Sequence, residues 1–223
     1  MEFIEDVQEL IDQYSMSSMN IERIIFTHRY QLTSNDSSLL TVQSIPILYS
    51  YWEGFIHQIF GLYIEYINSL QIDFKELNEN IKITYMEMEY KQLRQYPDAS
   101  DKKIKFYHLL EEHFETNKHV IKPYINTEGN VNFEVLNKLL NKFGITPFNE
   151  QWNVYRNPNP NLKDSLKDFL KYRNQIAHGG DVYSGIIVTQ ATYSQFRILV
   201  NKLMYELLNK FSEAIEQKSY LKR

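Results

Sequence analysis

Apolar residues along the chain recur mostly at intervals of three and four rather than two, the spacing of helices that bury one face. Phe3, Val7, Leu10, Ile11 and Tyr14 open a first helix that resumes through Ile21, Ile24, Ile25 and Phe26. The polar run from Thr33 to Ser38 then supplies a break and N-cap residues. The broadest apolar face belongs to Ile45, Leu48, Trp52, Phe55, Ile56, Ile59, Phe60, Tyr63 and Ile67, which predicts the core helix, with Pro46 near its first turns. Shorter helices are predicted around 81–96, 101–116 and 133–143, separated by turn signals at 96–98 (Tyr-Pro-Asp), 127–130 (Thr-Glu-Gly-Asn) and Gly144. Asn157-Pro-Asn-Pro-Asn161 is a stop followed by an N-cap, so a helix is predicted from Leu162 to about His178, ended by Gly179 and Gly180. Val182 to Val188 reads as a short β-hairpin or an extended loop. Thr189 or Thr192 then caps a final long helix carrying Phe196, Leu199, Val200, Leu203, Leu207, Leu208 and Phe211.

The expected fold is therefore an all-α helical bundle with inserted shorter helices, in a single domain over 1–223. With 223 residues, 43% of them hydrophobic and 23% charged, the chain buries enough surface to fold without a disulfide or metal, which excludes disorder. The absence of Cys removes thiol nucleophiles, thiolate metal sites and redox switches, and fits a reducing compartment. Glu53, His57, Gln58 and Glu65 interrupt the most apolar stretch, Ile45 to Leu70, at positions that would face lipid, so no membrane span is expected. The acidic start, Met-Glu-Phe-Ile-Glu-Asp, lacks a basic secretory n-region, and a cytoplasmic location is expected. A net charge of −4 argues against wholesale charge-driven nucleic-acid binding while leaving room for a local basic patch.

That patch is legible on the helix predicted from Leu162. At about 100° per residue, Leu162, Leu166, Phe169, Leu170, Ile176 and Ala177 share an apolar face, and Arg173 falls in the middle of it. A guanidinium there must reach water, meet a carboxylate, or line an interface or a ligand cleft, because burying it unpaired costs several kcal/mol. Lys163, Lys167 and Lys171 follow one another at i, i+4 in another sector that also holds Asn174 and His178. Alternating Asp164 and Asp168 allow the Lys row to be merely a solvated face, and His178 before two Gly residues to be merely a complement to the helix dipole.

The string Tyr172-Arg173-Asn174-Gln175-Ile176-Ala177-His178-Gly179 resembles the HEPN superfamily signature, an Arg, often a polar residue next, and a His after a gap of four to six. Trp52-Glu53-Gly54-Phe55 in the core helix is similar to a segment of the MAE-type branch of stand-alone bacterial HEPN proteins. The resemblance implies an all-α bundle, usually a homodimer, and in many members a metal-independent RNA endonuclease acting as the toxin of a toxin–antitoxin or phage-defence system. It implies Arg173 and His178 as catalytic residues, with RNA as substrate and an antitoxin protein as a further partner. Attack of a ribose 2′-hydroxyl on the adjacent phosphorus needs proton transfer and neutralisation of phosphorane oxygens, which suit an imidazole and a guanidinium. Asn174, angularly between them, is placed to orient the phosphate or the imidazole. Lys163, Lys167 and Lys171 would guide the RNA backbone, and Glu53, at the margin of the core-helix face, is the candidate to hold Arg173.

Arg173 and His178 stand about 140° apart on a strict helix, so a shared phosphate requires either a distorted last turn or a cleft between two subunits. No cofactor or metal is expected: His108 and His113 miss the i, i+4 spacing of a zinc helix, and there is no Gly-rich phosphate loop or Gly-x-Ser-x-Gly elbow. Two other readings stay open, a non-catalytic module binding nucleotide, RNA or a partner protein, and a structural helical-bundle dimer in which Arg173 is a buried register-setting ion pair.

Overall fold

A computed structural model describes residues 2–27, 30, 32–115, 119–152, 161–177 and 187–222. Its helices are α1 (Glu2–Phe26), α2 (Ser34–Ser69), α3 (Glu79–Glu89), α4 (Ser100–Glu115), α5 (Phe133–Lys142), α6 (Leu162–Ala177) and α7 (Gln190–Glu216). Among the described residues there is no strand, only isolated bridges between Leu77 and Leu221 and between Gln151 and Asn161. The expected all-α class holds. The segment read as a hairpin or extended loop at 182–188 falls largely outside the described residues, and His178 and the two Gly residues after it fall wholly outside them.

α2 is the axis of the bundle, and α1, α6 and α7 all pack on it. Trp52, Phe55, Ile56, Ile59, Phe60 and Tyr63 are fully enclosed, and the apolar faces of α1, α6 and α7 close around them in one core cluster. Thr33 caps α2 by accepting from the Asp36 backbone N–H, so the polar run begins the helix at Ser34. Pro46 consequently lies inside the helix rather than in its first turns, and the missing proline N–H leaves the Val42 carbonyl without its intrahelical donor.

α1 is continuous where the sequence pattern suggests a pause. Ser15 and Ser18, which give the stretch its polar character, face α7: Ser15 donates to Asn201 Oδ1 at 2.5 Å, and the Tyr193 hydroxyl donates to the Ser18 carbonyl at 2.9 Å. Polar residues there hold two helices together instead of ending one. At the C-terminal edge, the Lys222 backbone N–H donates to the Glu76 carbonyl at 2.7 Å and Asn78 N–H to the Tyr220 carbonyl at 2.8 Å, which clamps the tail along residues 76–78.

Candidate active site

α6 enters the bundle through Phe169, whose ring packs on Tyr49 of α2 at 5.4 Å and stacks on Phe196 of α7 at 4.9 Å. One turn later, the same edge of α6 carries Arg173 to the same aromatic partner: its guanidinium carbon lies 4.9 Å from the Tyr49 ring centroid. Such a contact contributes on the order of 0.5–2 kcal/mol, more as water is excluded. The anomalous Arg of the apolar face is therefore half-buried against an aromatic ring.

Among the described residues its hydrogen bonds go to amides. Arg173 Nη1 donates to Asn174 Oδ1 at 2.8 Å and to Asn130 Oδ1 at 3.3 Å. Asn130 comes from the turn expected at 127–130, and the structure explains why it reaches α6. Glu128 and Gly129 have φ of 56° and 72°, and the Asn130 N–H returns to the Thr127 carbonyl at 3.0 Å, closing a tight reversal that favours Gly at its second left-handed position.

This turn is laid along a stripe of α2 formed by Tyr49, Glu53 and His57, four residues apart on one face. At one end the Val131 N–H donates to the Tyr49 hydroxyl at 2.6 Å, and the Trp52 indole donates to the Val131 carbonyl at 3.3 Å. At the other, the buried Thr127 hydroxyl donates to Glu53 Oε1 at 2.9 Å, with His57 Nε2 3.5 Å away. The stripe thus fixes the turn, and the turn presents Asn130 to Arg173.

Glu53 does not hold Arg173 directly; its described partner is Thr127, and among the described residues no ion pair joins the acid to the guanidinium. Both charges still reach Tyr49. Burial pushes its phenol up to about 12, while the Val131 hydrogen bond and Arg173 oppose the rise and Glu53 adds to it. Among the described residues of one chain, no carboxylate pairs with Arg173 as the buried-ion-pair reading would require.

The Lys row divides. Lys163 is tied to Glu134 at 3.1 Å and Glu150 at 3.4 Å, and these carboxylates raise its pKa; Lys167 and Lys171 are exposed. Lys163 is thus held in a local charge cluster rather than standing free for a polyanion. Asn174 links the two sectors of α6, since its side chain accepts from Arg173 while its Cα direction is that of the Lys row. Asn161, which closes the expected stop, caps α6 by accepting from the Asp164 N–H at 3.2 Å. α6 runs to Ala177 within the described residues, so the position of His178 lies outside them.

Arg173, Asn174 and Glu53 were legible from the pattern of the chain, but Asn130, Thr127 and Tyr49 were not. Their sequence signals are those of an ordinary turn and an ordinary core aromatic, and only the tertiary path of the 126–131 segment gives them a place beside Arg173.

A sequence model of the family described as RiboL-PSP-HEPN matches residues 2–217. The chain belongs to this family. Membership agrees with the superfamily resemblance of the two segments, and the matched range takes in all seven described helices of this HEPN chain, together with the Trp-Glu-Gly-Phe segment and the Arg-x4-His string. The match is to the RiboL-PSP-HEPN family and does not extend to the MAE-type branch. Comparison with curated proteins and with solved structures returned no match. No described helix of this HEPN chain is long and apolar enough to cross a membrane.

Proposed function

We propose that this HEPN chain is a metal-independent RNA endonuclease whose catalytic groups are Arg173 and His178, acting as the toxin of a toxin–antitoxin or phage-defence system. The observation that carries the reading is the state of Arg173, a half-buried guanidinium oriented by Tyr49, Asn130 and Asn174 with no carboxylate neutralising it among the described residues. A structural cation in a low-dielectric site is ordinarily matched by an anion, whereas one held by neutral amides over an aromatic face keeps its charge for a ligand.

In the proposed reaction the ribose 2′-oxygen forms a bond to the adjacent phosphorus, the bond to the 5′-oxygen breaks, and a 2′,3′-cyclic phosphate remains. His178 moves the proton, the task to which the imidazole side chain is in general best suited near neutral pH. Arg173 neutralises the phosphorane oxygens, Asn174 orients phosphate or guanidinium, and Lys167 and Lys171 attract the backbone in a salt-dependent way. Two copies of the chain pair their α6 ends across one cleft, which relieves the angular separation of Arg173 and His178 on a single helix.

Arg173→Lys tests the carrying observation. Lysine keeps the charge but loses the planar fork and the stacking on Tyr49. The expected outcome is a fall of about 100-fold in the rate of RNA cleavage, with helical content and dimer retained. Cleavage at the wild-type rate by Arg173→Lys and Arg173→Ala would remove Arg173 from the chemistry.

A further inference from the structure

On another edge of the bundle the 3-10 turn at Phe74–Glu76, the start of α3, the end of α4 and the C-terminal tail enclose a cavity of about 430 Å³. It shares no element with Arg173. Its volume falls within the about 300–1,000 Å³ of ordinary small-molecule sites.

Three lysines converge on it. Lys75 is placed by the Asp73 carboxylate, which accepts from the Lys75 backbone N–H at 2.9 Å, and it forms no ion pair among the described residues. Lys82 lies on the first turns of α3, and Lys222 is brought in by the clamp between the tail and residues 76–78. Glu79 takes part of this charge, at 2.8 Å from Lys82 Nζ and 3.9 Å from Lys222 Nζ, but it is itself well exposed and free to turn away from an incoming anion. Three ammonium groups around one opening, against Asp73 and a shared Glu79, leave a net positive mouth.

The floor supplies an independent sign of a ligand. His113 lines the cavity at 4% exposure, and neither ring nitrogen has a hydrogen-bond partner among the described residues. A neutral imidazole carries one donor and one acceptor, and leaving both unmatched in a buried place is unfavourable. Aromatic rings fill the remaining directions: Phe74 meets His113 edge-on at 5.1 Å, and His119 lies 4.0 Å from it. Phe114 stands exposed at the mouth, a flat apolar surface beside the lysines.

We propose that this cavity binds a small organic phosphate, its phosphate dianion held by Lys75, Lys82 and Lys222, and its carbon portion packed on Phe114 with a polar group meeting His113. Lysine suits the anion as a point charge that can approach from several directions, without the flat bidentate geometry an arginine would impose. The exposed aromatic ring and the unmatched imidazole distinguish the site from one for a bare ion, since inorganic phosphate would use neither.

The test is titration of the full-length protein with ribose 5-phosphate, AMP and inorganic phosphate, followed by calorimetry and by the shift in Tm that binding to the folded state produces. The expected result is saturable binding of at least one of the two esters, about tenfold or more tighter than inorganic phosphate. The Lys75→Ala, Lys222→Ala double variant should weaken that binding about tenfold or more while keeping its helical content and its Tm without ligand. His113→Phe, which retains an aromatic ring in the box and removes both nitrogens, should weaken the ester and leave inorganic phosphate unchanged. No saturable binding of any probe up to about 10 mM, or affinity unchanged in the double variant, overturns the site. Equal affinity for the esters and inorganic phosphate overturns its organic half, and an unaltered ester affinity in His113→Phe removes His113 from it.

Discussion

Asn130 is the residue on which the geometry of the candidate site turns, because it is the hydrogen-bond acceptor that a segment outside α6 supplies to Arg173 among the described residues. Replacing it by Ala removes one acceptor from the guanidinium, and the expected loss is about 1 kcal/mol of stability, or roughly 2–4 °C in Tm for a chain of this length. A structural role and a positioning role then part company at Asn130→Asp. The carboxylate is nearly the same shape and pairs with Arg173, so the folded protein should be at least as stable as the wild type, yet the cation would be neutralised and RNA cleavage should fall at least as far as in Asn130→Ala. Parallel measurement of Tm and cleavage rate checks this, and a stabilised variant of full activity would show that the free charge of Arg173 is not what the site uses.

The elements differ in how openly the sequence announces them. α2, α5, α6 and α7 carry broad apolar faces and side-chain caps at Thr33, Asn132, Asn161 and Thr189, so period and capping agree and the chain is readable there. α1 is less readable at Ser15–Ser18, where the hydroxyls serve a neighbouring helix, and Pro46 is misplaced because the cap lies a full three turns upstream of it. The candidate site is only half legible for a related reason: Arg173 betrays itself by standing on an apolar face, but Asn130 becomes its partner through a contact 43 residues away in sequence, which no local period encodes.

Gly54 offers a test at this scale. A Cβ at this position would meet the Tyr14 hydroxyl at 2.9 Å, and that hydroxyl accepts from Gln58 Nε2 at 2.6 Å, so the α1–α2 crossing uses the missing side chain. In an open helix interior Gly54→Ala would stabilise by about 1 kcal/mol. Here the gain should be cancelled in the wild-type background and recovered when Tyr14→Phe removes the hydroxyl. A double-mutant cycle from urea unfolding should give a coupling of about 1 kcal/mol, and additive effects would show that Tyr14 yields without cost.

At the scale of the whole molecule, the fold encloses phenols on α2, α3, α7 and the tail. Burial raises Tyr49, Tyr85 and Tyr220 to about 12, and pushes Tyr63 and Tyr193 higher still. These groups lose a proton later in the folded chain than in the unfolded one, whose phenols titrate near 10. Between those values the unfolded state binds fewer protons, so stability falls as pH rises. The tyrosine contribution should therefore be fully present up to about pH 9, and the urea midpoint should drop steeply from about pH 10 to 12, together with a cooperative rise in tyrosinate absorbance. A midpoint flat across that interval would mean that these rings are open to water.

The same bundle brings Arg173, which meets no carboxylate among the described residues, to the last turns of α6 five residues before His178, and the central claim is that the two cut RNA. The most direct measurement is cleavage of a mixed RNA pool by purified wild type and by folded His178→Ala, each with excess chelator and with the product ends identified. Chelator-resistant cutting that leaves 2′,3′-cyclic phosphate in the wild type and vanishes in His178→Ala is the predicted result. Wild-type protein that cuts nothing, or a His178→Ala variant that cuts as well as the wild type, would contradict it.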